Sequence, residues 1–172
     1  MLYSELQCSE AIHKAVERMG FAEMTEIQEK TIPVMMAGYD VIAKAPTGTG
    51  KTCAFGIPVA EHILPENKYP QAVIMAPTRE LAQQIAEELT NLTYFMPEVQ
   101  VACVYGGANM EKQARRLAEG CQIVVATPGR LMDHYKHHSI DLAHVTQVVL
   151  DEADEMLNMG FYKDVRHIIE MM

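Results

Sequence analysis

Apolar positions along the chain fall into two alternating rhythms. Leu81, Ile85 and Leu89 stand at successive i, i+4 positions, which places them on one face of a helix. Comparable spacing predicts helices over 9–19 and 25–36, and another starting near Tyr162. Between such stretches lie short continuous apolar runs, too brief for helices: at Val41, over 72–76, 99–105, 123–126 and 145–150. Strand and helix alternate, which requires right-handed crossovers between strands of one sheet. The pattern therefore predicts the α/β class, a mainly parallel sheet with helices on both faces. Val148-Val149-Leu150 reads as a buried strand of that sheet.

Two breaks in the pattern carry chemistry. Ala45-Pro46-Thr47-Gly48-Thr49-Gly50-Lys51-Thr52 follows the strand-like Val41-Ile42-Ala43 and precedes Cys53-Ala54-Phe55, where helical spacing begins. A glycine-rich loop between strand and helix turns backbone N–H groups toward phosphate oxygens, and the helix N-terminus adds partial positive charge. Thr47, Gly48, Thr49 and Gly50 form the cradle, although Ala45 replaces the first glycine of the general motif. Lys51 is placed to reach the β- and γ-phosphates, and the Thr52 hydroxyl to ligate a bridging Mg²⁺. Asp151 and Glu152 follow the last predicted strand, at the carboxyl end where open α/β sheets bind ligands. Asp151 suits Mg²⁺ held through water, and Glu152 suits orienting and deprotonating an attacking water. Alone, two such acids read as the first turn of a helix. Joined to the phosphate loop they make a nucleotide-hydrolysis site, with Lys51, Asp151 and Glu152 as catalytic candidates.

Composition narrows the partners. With 172 residues, 49% of them apolar, one domain with one substantial core is expected. Fourteen Lys and Arg against 23 Asp and Glu leave a net charge of −9, so nucleic acid is not held by bulk charge and any RNA contact must be local. Cys8, Cys53, Cys103 and Cys121 are scattered without a Cys-x-x-Cys pair, which fits reduced thiols in a cytoplasm. No run of eighteen apolar residues predicts a membrane span. His134, His137 and His138 lack further ligands at metal-site spacing and read as a solvated helix end. Lys112, Arg115 and Arg116 read as a solvated face.

Nearly end to end, and around Asp151-Glu152-Ala153-Asp154 in particular, the chain resembles the first RecA-like domain of DEAD-box ATP-dependent RNA helicases, above all bacterial ones. The resemblance implies a RecA-like P-loop NTPase fold over 1–172, with an adenine-recognition segment in 1–28. In that segment Gly20-Phe21-Ala22-Glu23-Met24-Thr25-Glu26-Ile27-Gln28 matches the family pattern, Met24 replacing a usual proline and Tyr3 standing at a further aromatic position. Gln28 would read adenine with its amide and Phe21 would stack on the base; taken alone, Gln28 reads as a solvated helix residue.

Three further segments match motifs that grip the RNA backbone in the family: Pro77-Thr78-Arg79-Glu80-Leu81-Ala82, the pair Gly106-Gly107, and Thr127-Pro128-Gly129-Arg130. Hydroxyls, helix N-terminal N–H groups and one Arg would converge on phosphates there, giving little sequence preference. The implied cofactors are ATP and Mg²⁺, and the implied partners are RNA and a second RecA-like domain. The family's Ser-Ala-Thr motif and that second domain are not among these residues, whose only serines are Ser4, Ser9 and Ser139. The resemblance places the Ser-Ala-Thr strand between the strands ending at Ala45 and Leu150. A chain ending at Met172 would then be C-terminally truncated and nearly inactive by itself. A catalytically silent nucleotide- or RNA-binding module is the alternative.

Overall fold

The computed structural model describes all 172 residues, Met1–Met172. They cluster into two units, one formed by 1–63 with 87–97, the other by 64–86 with 98–172.

The first unit is helical. Ser9 opens α1 (Glu10–Arg18) by accepting the Ile12 N–H at 3.3 Å, and its own hydroxyl donates to Glu61 Oε1 at 2.6 Å. Thr25 and Gln28 form a reciprocal capping box at the start of α2 (Glu26–Met36). Gly50, in the left-handed conformation, caps α3 (Lys51–Glu61), in which every residue from Cys53 to Ala60 is buried. A helix apolar on all sides needs close neighbours, and Gly56 supplies one approach: a Cβ there would lie 2.9 Å from Leu92 and 3.1 Å from Leu89.

The second unit holds the sheet. Its elements are β1 (Ala72–Met75), α4 (Arg79–Leu92, whose last turns belong to the first unit), β2 (Val101–Val104), α5 (Met110–Ala118), β3 (Ile123–Ala126), α6 (Pro128–Lys136), β4 (Gln147–Leu150), α7 (Ala153–Asn158) and α8 (Tyr162–Glu170). The strand order is β2-β3-β1-β4 and every pairing is parallel, with Val73 opposite Val124 and Val148. This is the expected α/β class. Val73, Met75, Val104, Val124, Leu131, Leu142, Met156 and Ile168 belong to one core cluster. At the amino ends of the strands, buried Gln122 donates to Pro65 O (3.0 Å) and Glu98 O (2.9 Å) while accepting the Gln100 N–H (2.8 Å). Loops at that end are thus fastened by side-chain amides, leaving the carboxyl ends to carry the motif loops.

Two expectations about strands are corrected. Residues 39–46 form no regular structure, and Ile42 is fully exposed, so the apolar run at Val41 is not a strand here. A strand is defined by its partner, and nothing in the chain pairs with this segment. Nor is β4 a buried strand. It pairs on one side only, and Val148 and Leu150 remain 39% and 37% exposed, as an edge strand allows. No helix is long and apolar enough to cross a membrane.

Candidate functional site

The phosphate loop takes its shape from two left-handed glycines, Gly48 and Gly50, both at φ 82°. Thr49 Oγ1 donates to Pro46 O at 2.6 Å and closes the turn ahead of α3. Successive N–H groups in such a turn make an anion-binding concavity, and Lys51 and Thr52 follow as the first two residues of α3. Gln28 is drawn into the same unit. It is buried, its Oε1 accepts from the Tyr3 hydroxyl (2.5 Å) and the Thr25 N–H (2.9 Å), and its Nε2 donates to Gly50 O (3.1 Å). Gln28 is therefore not a solvated helix residue but a link between the amino-terminal segment and the phosphate loop. Both lone pairs of Oε1 are engaged, so reading the N6 amino group as well as N7 of adenine requires Oε1 to release one partner. Burial pushes the Tyr3 phenol well above its ordinary pKa, which keeps the hydroxyl protonated and donating. The Phe21 ring stacks against Tyr3 at 6.4 Å and is 43% exposed, so one face is open to a base.

The acid pair sits where β4 ends. The sheet ladder runs one residue further, the Asp151 N–H donating to Met75 O at 3.0 Å, and this anchors the nearly buried Asp151. Asp151 Oδ1 in turn accepts the Glu152 N–H at 3.0 Å. Glu152 holds φ 52°, ψ 51° as the N-cap of α7. A non-glycine residue in that region costs on the order of 1–2 kcal/mol and marks a place where side-chain direction outweighs backbone comfort. The oxygen donors Thr52 and Asp151 are of the kind that suits Mg²⁺, which keeps several waters and takes few protein ligands.

The three loops expected to meet RNA all leave carboxyl ends of neighbouring parallel strands. After β1, Pro77 is buried and Thr78 Oγ1 accepts the Leu81 N–H at 3.2 Å, capping α4. Arg79 is exposed and lies over the Tyr105 ring, 4.7 Å from its centroid. After β2, Gly106 and Gly107 are exposed; Gly107 has φ 85°, and a Cβ there would lie 3.8 Å from Arg79 Nη1. After β3, the Thr127 N–H extends the ladder to Val104 O (3.1 Å), Pro128 takes the first position of α6, and Gly129 is half-buried. Thr127, unlike Thr78, does not cap its helix with its side chain. Arg130 turns inward: its Nη1 donates to Ala108 O (2.9 Å) and Gln113 Oε1 (3.1 Å), its Nε pairs with Asp133 at 3.7 Å, and its side chain is 13% exposed.

One member of the histidine cluster overturns its expected place. His137 and His138 are exposed, but His134 is fully buried, because it shares the inner face of α6 with Leu131. Its Nε2 lies 2.9 Å from Gln113 Oε1, an acceptor, so the ring is the Nε2–H tautomer and Nδ1 has no partner. Burial, then the nearby Arg130 charge, lowers its pKa below the ordinary 6.5, against a weaker opposing pull from Asp133. The folded state thus needs the neutral ring, whereas the unfolded chain protonates near 6.5. Stability from this group is complete above about pH 6.5 and is lost as pH falls through the lowered value. His134→Leu is expected to shrink the drop in urea midpoint between about pH 7.5 and about pH 5.5 relative to wild type. An equal drop in both proteins would contradict the assignment.

Of the other groups, Lys112 and Arg115 are solvated as expected, while Arg116 Nη1 bonds Gly120 O at 3.2 Å. All four cysteines are free, and burial raises the thiols of Cys8, Cys103 and Cys121 to about 11 and that of Cys53 to about 12. Sequence reasoning passed over Gln113 and the roles of Tyr105 and His134. The one available signal was the helical register that Gln113 shares with Leu117 and His134 with Leu131.

Comparison with known proteins gives consistent matches. The DEAD/DEAH box helicase family model matches residues 25–172. The ATP-dependent RNA helicase CshA of Limosilactobacillus reuteri is 51% identical over 170 residues, covering 99% of this chain and 34% of that protein. The ATP-dependent RNA helicase DeaD of Escherichia coli (strain K12) is 45% identical over 167 residues, 97% of this chain and 27% of that one. Among solved structures, a DEAD box protein from the hyperthermophile Methanococcus jannaschii superposes with a TM-score of 0.91 at 41% identity, covering 99% of this chain and 47% of the other. The chain spans about a third of the length of the curated relatives it matches.

Proposed function

Because the chain belongs to the DEAD/DEAH box helicase family, we propose that it is the ATP- and RNA-gripping first domain of a cytoplasmic ATP-dependent RNA helicase. The observation that carries this reading is the Gln28 amide, which joins Tyr3, the start of α2 and Gly50 of the phosphate loop within one unit. Such a link makes the phosphate cradle sensitive to whether an adenine is seated beside Phe21.

In this reading Phe21 stacks on the base and Gln28 reads its edge, while residues 47–50 cradle the phosphates and Lys51 draws charge from the β- and γ-oxygens. The Thr52 hydroxyl would ligate Mg²⁺ and Asp151 would hold it largely through water; when bound, the ion would neutralise charge on the phosphates. Glu152 orients the attacking water and accepts its proton. Residues 77–79, 106–107 and 127–129 hold RNA by its sugar-phosphate backbone, while the inward-turned Arg130 supports the loop from behind, which accounts for RNA binding by a domain of net charge −9. A second RecA-like domain supplies further positive charge to the transition state, and closure of the two domains bends one RNA strand away from its partner.

The test is phosphate release by the longest product of the reading frame that carries this chain, with and without single-stranded RNA. Stimulation by RNA, with ATP strongly preferred over GTP, is the expected result. Hydrolysis that ignores RNA, equal use of GTP, or tight ATP binding without turnover would each remove the helicase reading, the last in favour of a silent binding module.

A further inference from the structure

Beyond the groups that meet phosphate, the geometry points to Gln113, a buried residue of α5, as the side chain that locks the three RNA loops into one register, with Arg130 acting through it as a positioning residue. This inference rests on the RNA-gripping reading above.

One amide stands at the centre of the connections. Gln113 Nε2 donates to Tyr105 O at 3.0 Å, and Gln113 Oε1 accepts from Arg130 Nη1 at 3.1 Å and His134 Nε2 at 2.9 Å. Arg130 Nη1 reaches on to Ala108 O at 2.9 Å, so the loop holding Gly106 and Gly107 is gripped at both ends, by Gln113 at residue 105 and by Arg130 at residue 108. Tyr105 extends the connection to α4: Arg79 lies across its ring at 4.7 Å, and its hydroxyl accepts from Gln83 Nε2 at 3.1 Å. The start of α4, the glycine loop and the start of α6 are thereby joined by side chains, all within the second unit.

The amide cannot flip without loss. Its acceptor faces two donors and its donor faces a carbonyl, so reversal would break the bonds to Arg130 and Tyr105 O and force His134 into its other tautomer. Gln113 is 8% exposed and His134 fully buried, so water does not readily replace these partners. A nucleic-acid backbone presents phosphates at a set spacing, and loops that wander relative to one another would have to be ordered during binding. Holding them in advance is what a buried amide of this kind achieves. Arg130, 13% exposed and engaged with Ala108 O and Gln113, shapes the loop and does not reach a phosphate.

The test titrates RNA-stimulated ATP hydrolysis by the longest product of the reading frame with a single-stranded oligoribonucleotide. Gln113→Met keeps the volume and removes the three bonds. It is expected to raise the RNA concentration for half-maximal stimulation about tenfold and, because the buried His134 donor loses its acceptor, to lower the thermal midpoint, while the KM for ATP and kcat at saturating RNA stay near wild type. Gln113→Glu keeps the acceptor for Arg130 and His134 but loses the donor to Tyr105, and should fall between. Arg130→Met should weaken RNA binding with the salt slope unchanged, because only the loss of a direct phosphate contact lowers that slope, by about 0.7 for a single strand. Wild-type RNA affinity in Gln113→Met, an ATP affinity that falls as much as the RNA affinity, or a reduced salt slope in Arg130→Met would each overturn the inference alone. An unmodified protein that RNA does not stimulate would overturn the RNA reading and this inference with it.

Discussion

Replacing Glu152 by Gln is expected to slow ATP hydrolysis by the longest product of the reading frame by about 10²- to 10⁴-fold while ATP still binds with near wild-type affinity. The amide keeps the size and polarity of the side chain but cannot accept a proton from water. Asp151 should keep its place, since it is held by the ladder bond to Met75 O at 3.0 Å and its Oδ1 receives the backbone N–H of residue 152, which the substitution does not change. A companion substitution tests the backbone. Glu152→Gly relieves the left-handed φ of 52° and should raise the thermal midpoint slightly, although hydrolysis is lost. Stability and activity would then move in opposite directions at one residue, the signature of strain kept for function. A rate in Glu152→Gln within about tenfold of wild type would remove this residue from its role as base.

Gly50→Ala should be the most damaging single methyl group in the first unit. Gly48 and Gly50 share the same φ of 82°, so alanine at either costs about 1 kcal/mol in backbone strain alone. Their surroundings differ. A Cβ at Gly48 meets nothing within 4 Å, whereas at Gly50 it would stand 2.3 Å from Gln28 Nε2. That amide is the far end of a side chain and can swing, but swinging abandons Gly50 O, the Tyr3 hydroxyl and the Thr25 N–H together. Gly50 O keeps the Ala54 N–H, but the Gln28 amide and the Tyr3 hydroxyl are buried, and leaving them without each other adds about 1–3 kcal/mol. Gly50→Ala should therefore unfold at markedly lower urea than Gly48→Ala and lose its preference for ATP over GTP. Equal midpoints for the two variants would mean that the Gln28 link contributes nothing.

The α/β class was legible because it depends on local rhythm. Four of the five predicted strands form within two residues of their expected limits, and the capping signals at Ser9 and Thr25 mark true helix starts. The motif loops were legible for the same reason: glycine, proline and threonine at set offsets determine local backbone geometry, whatever surrounds them. The failures share one cause. Val41 and Ile42 have the composition of a strand, yet a strand exists only where another backbone pairs with it, and none does. The apolar run of β4 reads as buried, but its exposure depends on how many neighbours flank it, and it has one.

By itself, then, the amino-acid sequence determined the alternation of strand and helix, the phosphate loop and the acid pair, because each is written in consecutive residues. Only the tertiary structure decided that His134 is buried, that Arg130 turns inward, and that Gln28 and Gln113 are junctions and not surface amides. Those properties belong to partners 17 to 22 residues away along the chain, Gly50 for Gln28 and Arg130 and His134 for Gln113. A polar side chain carries no mark of its own showing whether water or a buried carbonyl will satisfy it; packing alone makes that choice.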